Sequence, residues 1–286
     1  MWVNDGKIQN RGFEATIDAD IISTPDWHLG STFVFSMNRN KVKDLGNTVE
    51  SGLMTDEMTG MLYEYSGNSL EQYRDYTNIL AIGKPVNVFY GYRVNGIVQT
   101  VNEGIDAGLT GDYAQPGEFK YMDLDGNGSI NEGDKCIIGD PNPDFTASLN
   151  LDLTWKNWNL NVFLNGVFGN DVLNTQKFGQ PNSDPLRWTK DNPTNDYPSL
   201  RDGRQAKISD WWIEDGSFLR IQNVTLGYTF NFKKSILNKL HLYANVANLY
   251  TFTSFKGYDP EVELNGIYSG GYPRLRKWIF GLDLTF

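Results

Sequence analysis

The chain has 286 residues, with 25 Lys and Arg against 35 Asp and Glu and a net charge of −10. That balance argues against a nucleic-acid surface. One cysteine, Cys136, excludes an internal disulfide and a cysteine-rich zinc site, and a His-dependent triad has only His28 and His241 to draw on. No window reaches the roughly 18–20 apolar residues that a membrane-spanning helix needs. Met1 is not followed by a basic segment and an apolar core, so no signal peptide is expected.

Period-two alternation runs through the chain in segments of about ten residues. The first places Phe13, Ala15, Ile17, Ala19 and Ile21 on one face and Glu14, Thr16, Asp18 and Asp20 on the other. Trp27 to Asn38 follows, with Leu29, Phe33, Phe35 and Met37 on its apolar face. Phe145 to Trp155 sets Ala147, Leu149, Leu151 and Leu153 against Asn150, Asp152 and Thr154. Trp158 to Phe168 sets Leu160, Val162 and Leu164 against Asn159, Asn161 and Asn165. Val224 to Phe230, Leu240 to Ala247 and Trp278 to Phe286 complete seven predicted strands. No apolar face carries a charge, and the other face is mostly Asn, Thr, Ser, Asp and Gly.

Alternation alone fits a soluble sandwich, whose apolar faces meet each other. Three features point to a membrane instead. Runs of 9–11 residues suit a tilted membrane crossing, whereas globular strands cluster near 5–6. Aromatics stand at the ends of the apolar faces: Trp27, Phe145, Trp155, Trp158, Phe168, Trp278 and Phe286. The connections 23–26, 156–157 and 231–239 are short, while 44–144, 170–217 and 250–276 are long, the asymmetry of an outer-membrane barrel. Parity places a further strand-like run, Val86 to Val101, in the first long loop, as part of a hairpin or small sheet. At this length the 44–144 loop should carry its own order. Seven strands cannot close a bacterial barrel, and open edges in lipid leave backbone groups unpaired, so the chain reads as a piece of a larger one.

Several stretches resemble one family: 82–99 (IGKPVNVFYGYRVNGIVQ), 119–134 (FKYMDLDGNGSINEGD), 138–150 (IGDPNPDFTASLN), 215–228 (DGSFLRIQNVTLGY), 242–250 (LYANVANLY), 255–260 (FKGYDP) and the terminal Phe286. Together they resemble the C-terminal third of SusC/RagA-like TonB-dependent outer-membrane transporters. The resemblance implies an all-β fold. Residues 1–286 would be the C-terminal part of an antiparallel transmembrane β-barrel, about seven spanning strands of 22, with long extracellular loops. Plug domain and TonB-interacting segment have no counterpart in this sequence. It also implies the outer membrane of a Gram-negative bacterium, its lipid, a SusD-like surface lipoprotein as lid, TonB as energy source, and an oligosaccharide or oligopeptide as cargo.

The sharpest local motif lies at 123–134. Asp123, Asp125, Asn127, Ser129, Asn131 and Asp134 stand where a twelve-position calcium loop puts its oxygen ligands, with Gly128 at the sharp turn. Asp134 is one methylene shorter than the usual Glu, and the flanks read as extended, so this is an EF-hand-like loop without the helices. A structural Ca2+ is one reading; an Asx-rich turn that closes without metal is the other. The loop aromatics Trp188, Tyr197, Trp211, Trp212, Tyr258, Tyr268 and Tyr272 are candidates for solute contact, or for packing the loops and meeting the lid. Trp211 and Trp212 are adjacent, so in extended chain they point opposite ways. The last strand, ending in Phe286, resembles a terminal assembly signal. His28 and His241 fall on polar faces as lumen hydrogen-bonders, and no nucleophile elbow or phosphate loop is present, so no enzyme is expected. Two other classes stay open: a soluble, calcium-stabilised β-sheet protein that binds glycan at the cell surface, and a barrel enzyme with Ser beside one of the histidines.

Overall fold

The computed structural model describes residues 6–46, 53–67, 69–70, 73–178, 186–199, 206–233 and 236–286. Seven antiparallel strands form one sheet in chain order. They are β1 (Lys7–Ser23), β2 (Trp27–Asp44), β3 (Phe145–Trp155), β4 (Trp158–Phe168), β5 (Phe218–Asn231), β6 (Lys239–Thr253) and β7 (Lys277–Thr285). Each matches one of the seven alternating runs. Several are longer than the apolar pattern: β2 has 18 residues, and its polar outer end, Arg39 to Asp44, pairs with the Lys7 to Arg11 end of β1.

Register sets the two faces. Trp27, Trp155, Trp158 and Tyr228 are paired across β2 to β5 at the short-turn rim. Trp27 stacks on Trp155 with ring centroids 5.2 Å apart. At the long-loop rim Phe145 stacks on Phe35 and Phe168 at 5.6 and 4.8 Å. Trp155 and Phe145 are ten residue steps apart, about 33 Å along the strand and about 23 Å along the normal at a tilt near 45°. That is close to the height of the apolar band of an outer-membrane barrel.

Nothing among the described residues covers the apolar face. Phe280 is 76 % exposed and Ile17 58 %, and Phe13, Leu226, Leu242 and Leu282 are exposed as well. A sandwich buries such residues against a second sheet; this sheet has no second layer among the described residues. The opposite face is a polar lattice. Thr32 donates to Asp18 at 2.7 Å, and Asn161 donates to Asn150 at 2.9 Å and to Asp152 at 2.7 Å. The His241 ring nitrogens lie 2.9 Å from Asn159 and 3.2 Å from Asp283, and His28 lies 3.6 Å from Asp20. His241 is therefore a wall hydrogen-bonder, while His28 stands beside Asp20 beyond hydrogen-bond distance.

Two bulges correct the simple alternation. Ile22 pairs with Leu29 after Asp20 pairs with Gly30, so Ile21 is the extra residue and Ile22 takes its expected place. A register shift between Ile221 and Asn223 moves Leu219 and Ile221 onto the face of Val224 and Leu226. It also leaves Arg220 on the inner face. β5 therefore begins six residues earlier than its regular pattern, which starts at Val224.

The chain's aqueous core sits in the loops. The first long loop forms a five-stranded sheet from Met54–Thr55, Leu62–Ser66, Asn78–Ala81, Val88–Gly91 and Cys136–Gly139, and pairs Val94–Ile97 with Phe119–Tyr121. The strand-like run at 86–101 is thus outside the wall, as expected, yet it is two strands in two sheets and not a hairpin of its own. It breaks at Tyr92, whose amide donates to Ile208 of the second loop. In that loop Asp171–Asn174 pairs with Ile213–Asp215 and, in parallel, with Ile267–Tyr268 of the third loop. Phe89, Tyr92, Ile97, Phe119, Leu173, Ile208 and Trp212 pack into one core drawn from the first two loops. Among the described residues no helix is long and apolar enough to cross a membrane.

Candidate functional site

The 123–134 loop is built by glycines and short polar side chains. Gly126 and Gly128 take left-handed backbone, φ 74° and 81°, where a Cβ is costly. Their amides both donate to Asp123 at 2.7 Å. Those donors, Gly128 first, hold the Asp123 carboxyl below its usual range. Asp134 is fully buried and receives the amides of Leu124 and Asn131 at 2.7 and 2.8 Å. One oxygen each from Asp123, Asp125 and Asp134 falls within a 4.8 Å cluster, a spacing that a hard divalent cation fits. The other three expected ligands are engaged within the loop. Asn127 accepts from Ser129 N–H at 2.9 Å, Asn131 from Gly133 N–H at 2.8 Å, and the Ser129 carbonyl from Asn131 at 3.2 Å. The flanks are the strands Phe119–Tyr121 and Cys136–Gly139, as expected.

Behind the loop, Lys135 is buried between Asp75 and Glu132, each at 2.7 Å. Burial pulls its pKa down, but the two carboxylates outweigh burial and hold it above the ordinary value. The loop is thereby tied to the first-loop sheet.

The expected solute-contact aromatics divide into two groups. Those of the second loop build its core. Trp212 is 2 % exposed and packs on Tyr73 and Phe119. Trp211 and Trp212 lie in a 3-10 turn, Asp210–Trp212, so their rings meet edge to face at 4.8 Å and do not point apart. Trp211 donates to the Asp196 carbonyl at 2.8 Å and lies under the Lys177 ammonium at 4.1 Å. Burial lowers the Lys177 pKa, with Glu214 opposing. Tyr197 packs edge-on against Trp211, and Trp188 donates to Gln99 at 2.8 Å. For Trp212 packing replaces solute contact.

The third-loop tyrosines converge. Tyr258, Tyr268 and Tyr272 line one cavity of about 1030 Å3 between the first and third loops. Tyr272 is 88 % exposed, while Tyr268 is buried on Phe255 and its hydroxyl accepts the Tyr258 N–H at 3.1 Å. Asn78, Asn87, Thr175 and Glu263 add polar groups to the lining. Below the tyrosines lies a charge quartet that sequence reasoning missed. Arg220 of β5 bonds Asp259 at 2.8 Å and Glu261 at 2.7 Å, and Arg274 bonds the same two at 3.2 and 2.7 Å. The available signal was a lone arginine within an otherwise uncharged strand segment, FLRIQNVTLGY.

An uncovered apolar band between aromatic rims, a hydrogen-bonded polar inner face, short turns on one side and a packed loop body on the other define a section of outer-membrane β-barrel wall. No protein-family model matches the chain. It is 34 % identical to TonB-dependent receptor P3 of Formosa agariphila over 99 % of its own length and 29 % of that protein's. It is 28 % identical to TonB-dependent receptor SusC of Bacteroides thetaiotaomicron, over 100 % of this chain and 27 % of SusC. Its fold matches the solved structure of the RagAB peptide transporter with a TM-score of 0.74 at 22 % identity, covering 99 % of this chain and 30 % of that one. Over nearly its whole length the chain is thus similar to TonB-dependent receptors, SusC among them, and shares the fold of the RagAB transporter. It spans about three-tenths of the length of the relatives it matches. These relatives bear the names of receptors and transporters, not of enzymes.

Proposed function

We propose that this chain supplies barrel wall and external loops to a TonB-dependent importer in the outer membrane of a Gram-negative bacterium. The cargo is an oligosaccharide or oligopeptide, received between the loops and a SusD-like lipoprotein. The observation that carries this reading is a sheet whose apolar face no second layer covers among the described residues: that face suits hydrocarbon and the Asn- and Thr-rich face suits a hydrated lumen. The tyrosine-lined cavity at the long-loop end supports solute capture there, because Tyr258 and Tyr272 offer ring faces beside amide and carboxylate groups. Energised TonB then acts through parts of the importer outside this chain.

The test is uptake of labelled malto-oligosaccharides and of a labelled tryptic peptide mixture by cells carrying the complete transporter. One class is taken up, and a protonophore abolishes that uptake. Protonophore-insensitive uptake, or surface retention without entry, overturns the reading. Within the same proposal Asp123, Asp125 and Asp134 hold a structural Ca2+. Dialysis against calcium followed by elemental analysis should find one ion fewer in Asp123→Asn than in the parent; equal content assigns the loop to closure by its own amides.

A further inference from the structure

The two arginines on Asp259 and Glu261 occupy different positions. The Arg220 side chain is 2 % exposed and comes from the wall. The Arg274 side chain is 44 % exposed, comes from the third loop and lines the cavity. Arg220 is also fixed from behind: its Nε donates to Thr251 at 2.9 Å, and its guanidinium lies 4.9 Å from the Phe218 ring centroid. A planar fork held in that way presents its remaining N–H groups in one geometry. Asp259 and Glu261 must meet it there, and Tyr258 precedes them directly in the chain.

We propose that Arg220 is the positioning residue of the cavity. It fixes the 258–261 segment against the outer end of the wall, so that Tyr258, Glu261 and Arg274 stand around the solute. This rests on the reading that the cavity receives solute. Burial separates the two arginines, Arg220 being enclosed and Arg274 half in solvent. Two guanidinium groups balance two carboxylates; with Arg220 gone, one exposed guanidinium is left to hold both acids, and Asp259 is largely buried. Arg274, half in solvent, is the member free to exchange a carboxylate for a solute group while Arg220 keeps the segment in place. Lysine at 220 would keep the charge and lose the fork, because one ammonium cannot reproduce the coplanar bonds to Thr251, Asp259 and Glu261.

The experiment compares Arg220→Gln, Arg220→Lys and Arg274→Gln in the complete transporter. Amide hydrogen exchange over 255–274, without solute, is the first readout. Arg220→Gln should speed exchange there at least about tenfold while strand amides at 242–247 keep their protection, with Arg220→Lys between it and the parent and Arg274→Gln near the parent. Half-saturation for the transported mixture, malto-oligosaccharides or tryptic peptides, is the second. It should rise in Arg220→Gln with maximal uptake unchanged, a split that general unfolding would not give. Unchanged exchange in Arg220→Gln, or equal loosening by Arg274→Gln, overturns the proposal. If Arg220→Gln fails to assemble, Asp259→Asn, which keeps the wall arginine, must loosen 255–274 in its place, and no loosening overturns the proposal. If the parent takes up neither mixture, the solute reading fails, while the exchange result still decides whether Arg220 positions the loop.

Discussion

The wall and the loop body apply opposite rules to one set of side chains. In the wall, Leu151, Val162 and Phe280 sit on a face that no second layer covers among the described residues, and the hydrogen-bonded residues face inward. In the loop body, Phe119, Ile208 and Trp212 are enclosed, and the polar side chains buried beside them, Asp134 and Lys135 among them, are paired within the protein. The wall has hydrocarbon as its solvent on one side, so outward apolar residues satisfy it; the loops have water all round and need a core. Burial by protein is therefore a guide to stability in the loops and a poor one in the wall.

The comparison can be broken at either end. The largest effect is expected for Trp212→Ala, which empties a large buried volume and should cost the loop body about 3–5 kcal/mol. Protease sensitivity of the loops should rise while the barrel keeps its heat-resistant mobility on gels; loss of both together would mean the regions are one cooperative unit. Next comes Leu151→Arg or Val162→Arg, expected to cost up to about 2–4 kcal/mol at mid-bilayer and to block assembly. Asn150→Arg, one residue away on the inner face, should assemble. Normal insertion of both outward variants would remove the basis for the membrane face. A smaller stability effect is expected for Tyr272→Ala, within about 0.5 kcal/mol because the ring is exposed, together with weaker uptake at low solute concentration. Unchanged uptake would place solute elsewhere.

The smallest effect concerns pH and only the loop body. Burial raises the Asp56 pKa, but bonds from Thr59 and from the Tyr90 hydroxyl outweigh burial and leave it below 3.8. A depressed folded value means that the stabilisation is complete above the unfolded pKa and fades as pH falls through the folded one. Loop unfolding should thus ease in acid below about pH 4, and Asp56→Asn should flatten that dependence. An identical acid profile for parent and variant would exclude Asp56 as its source.

The wall was legible because its two solvents impose a strict period of two on all seven strands. The bulges at Ile21 and Gln222 were not, since one inserted residue leaves hydrophobicity unchanged and alters only parity. Loop strands of two to five residues have no period to read; Val88–Gly91 finds its neighbours at 78–79 and 136–139, set by distant packing. The acidic loop's spacing brings Asp123, Asp125 and Asp134 together, although the Asn127 and Asn131 oxygens accept from nearby backbone amides, and Asn127 also donates to Asp125. The tryptophans at 211 and 212 misled because a 3-10 turn brings neighbours together where extended chain separates them. Tyr258, Tyr268 and Tyr272 do share one cavity, but the Arg220 that underlies them required the register of β5.

The parallel bridge from Leu173 and Asn174 to Ile267 and Tyr268 has a bearing on how such molecules diversify. Half of that miniature ribbon comes from one outer segment and half from another that starts some ninety residues downstream. Chimaeras that exchange only one of them between relatives would leave a severed seam, so recombination should move both as a block and leave single-site drift to the tyrosine rim.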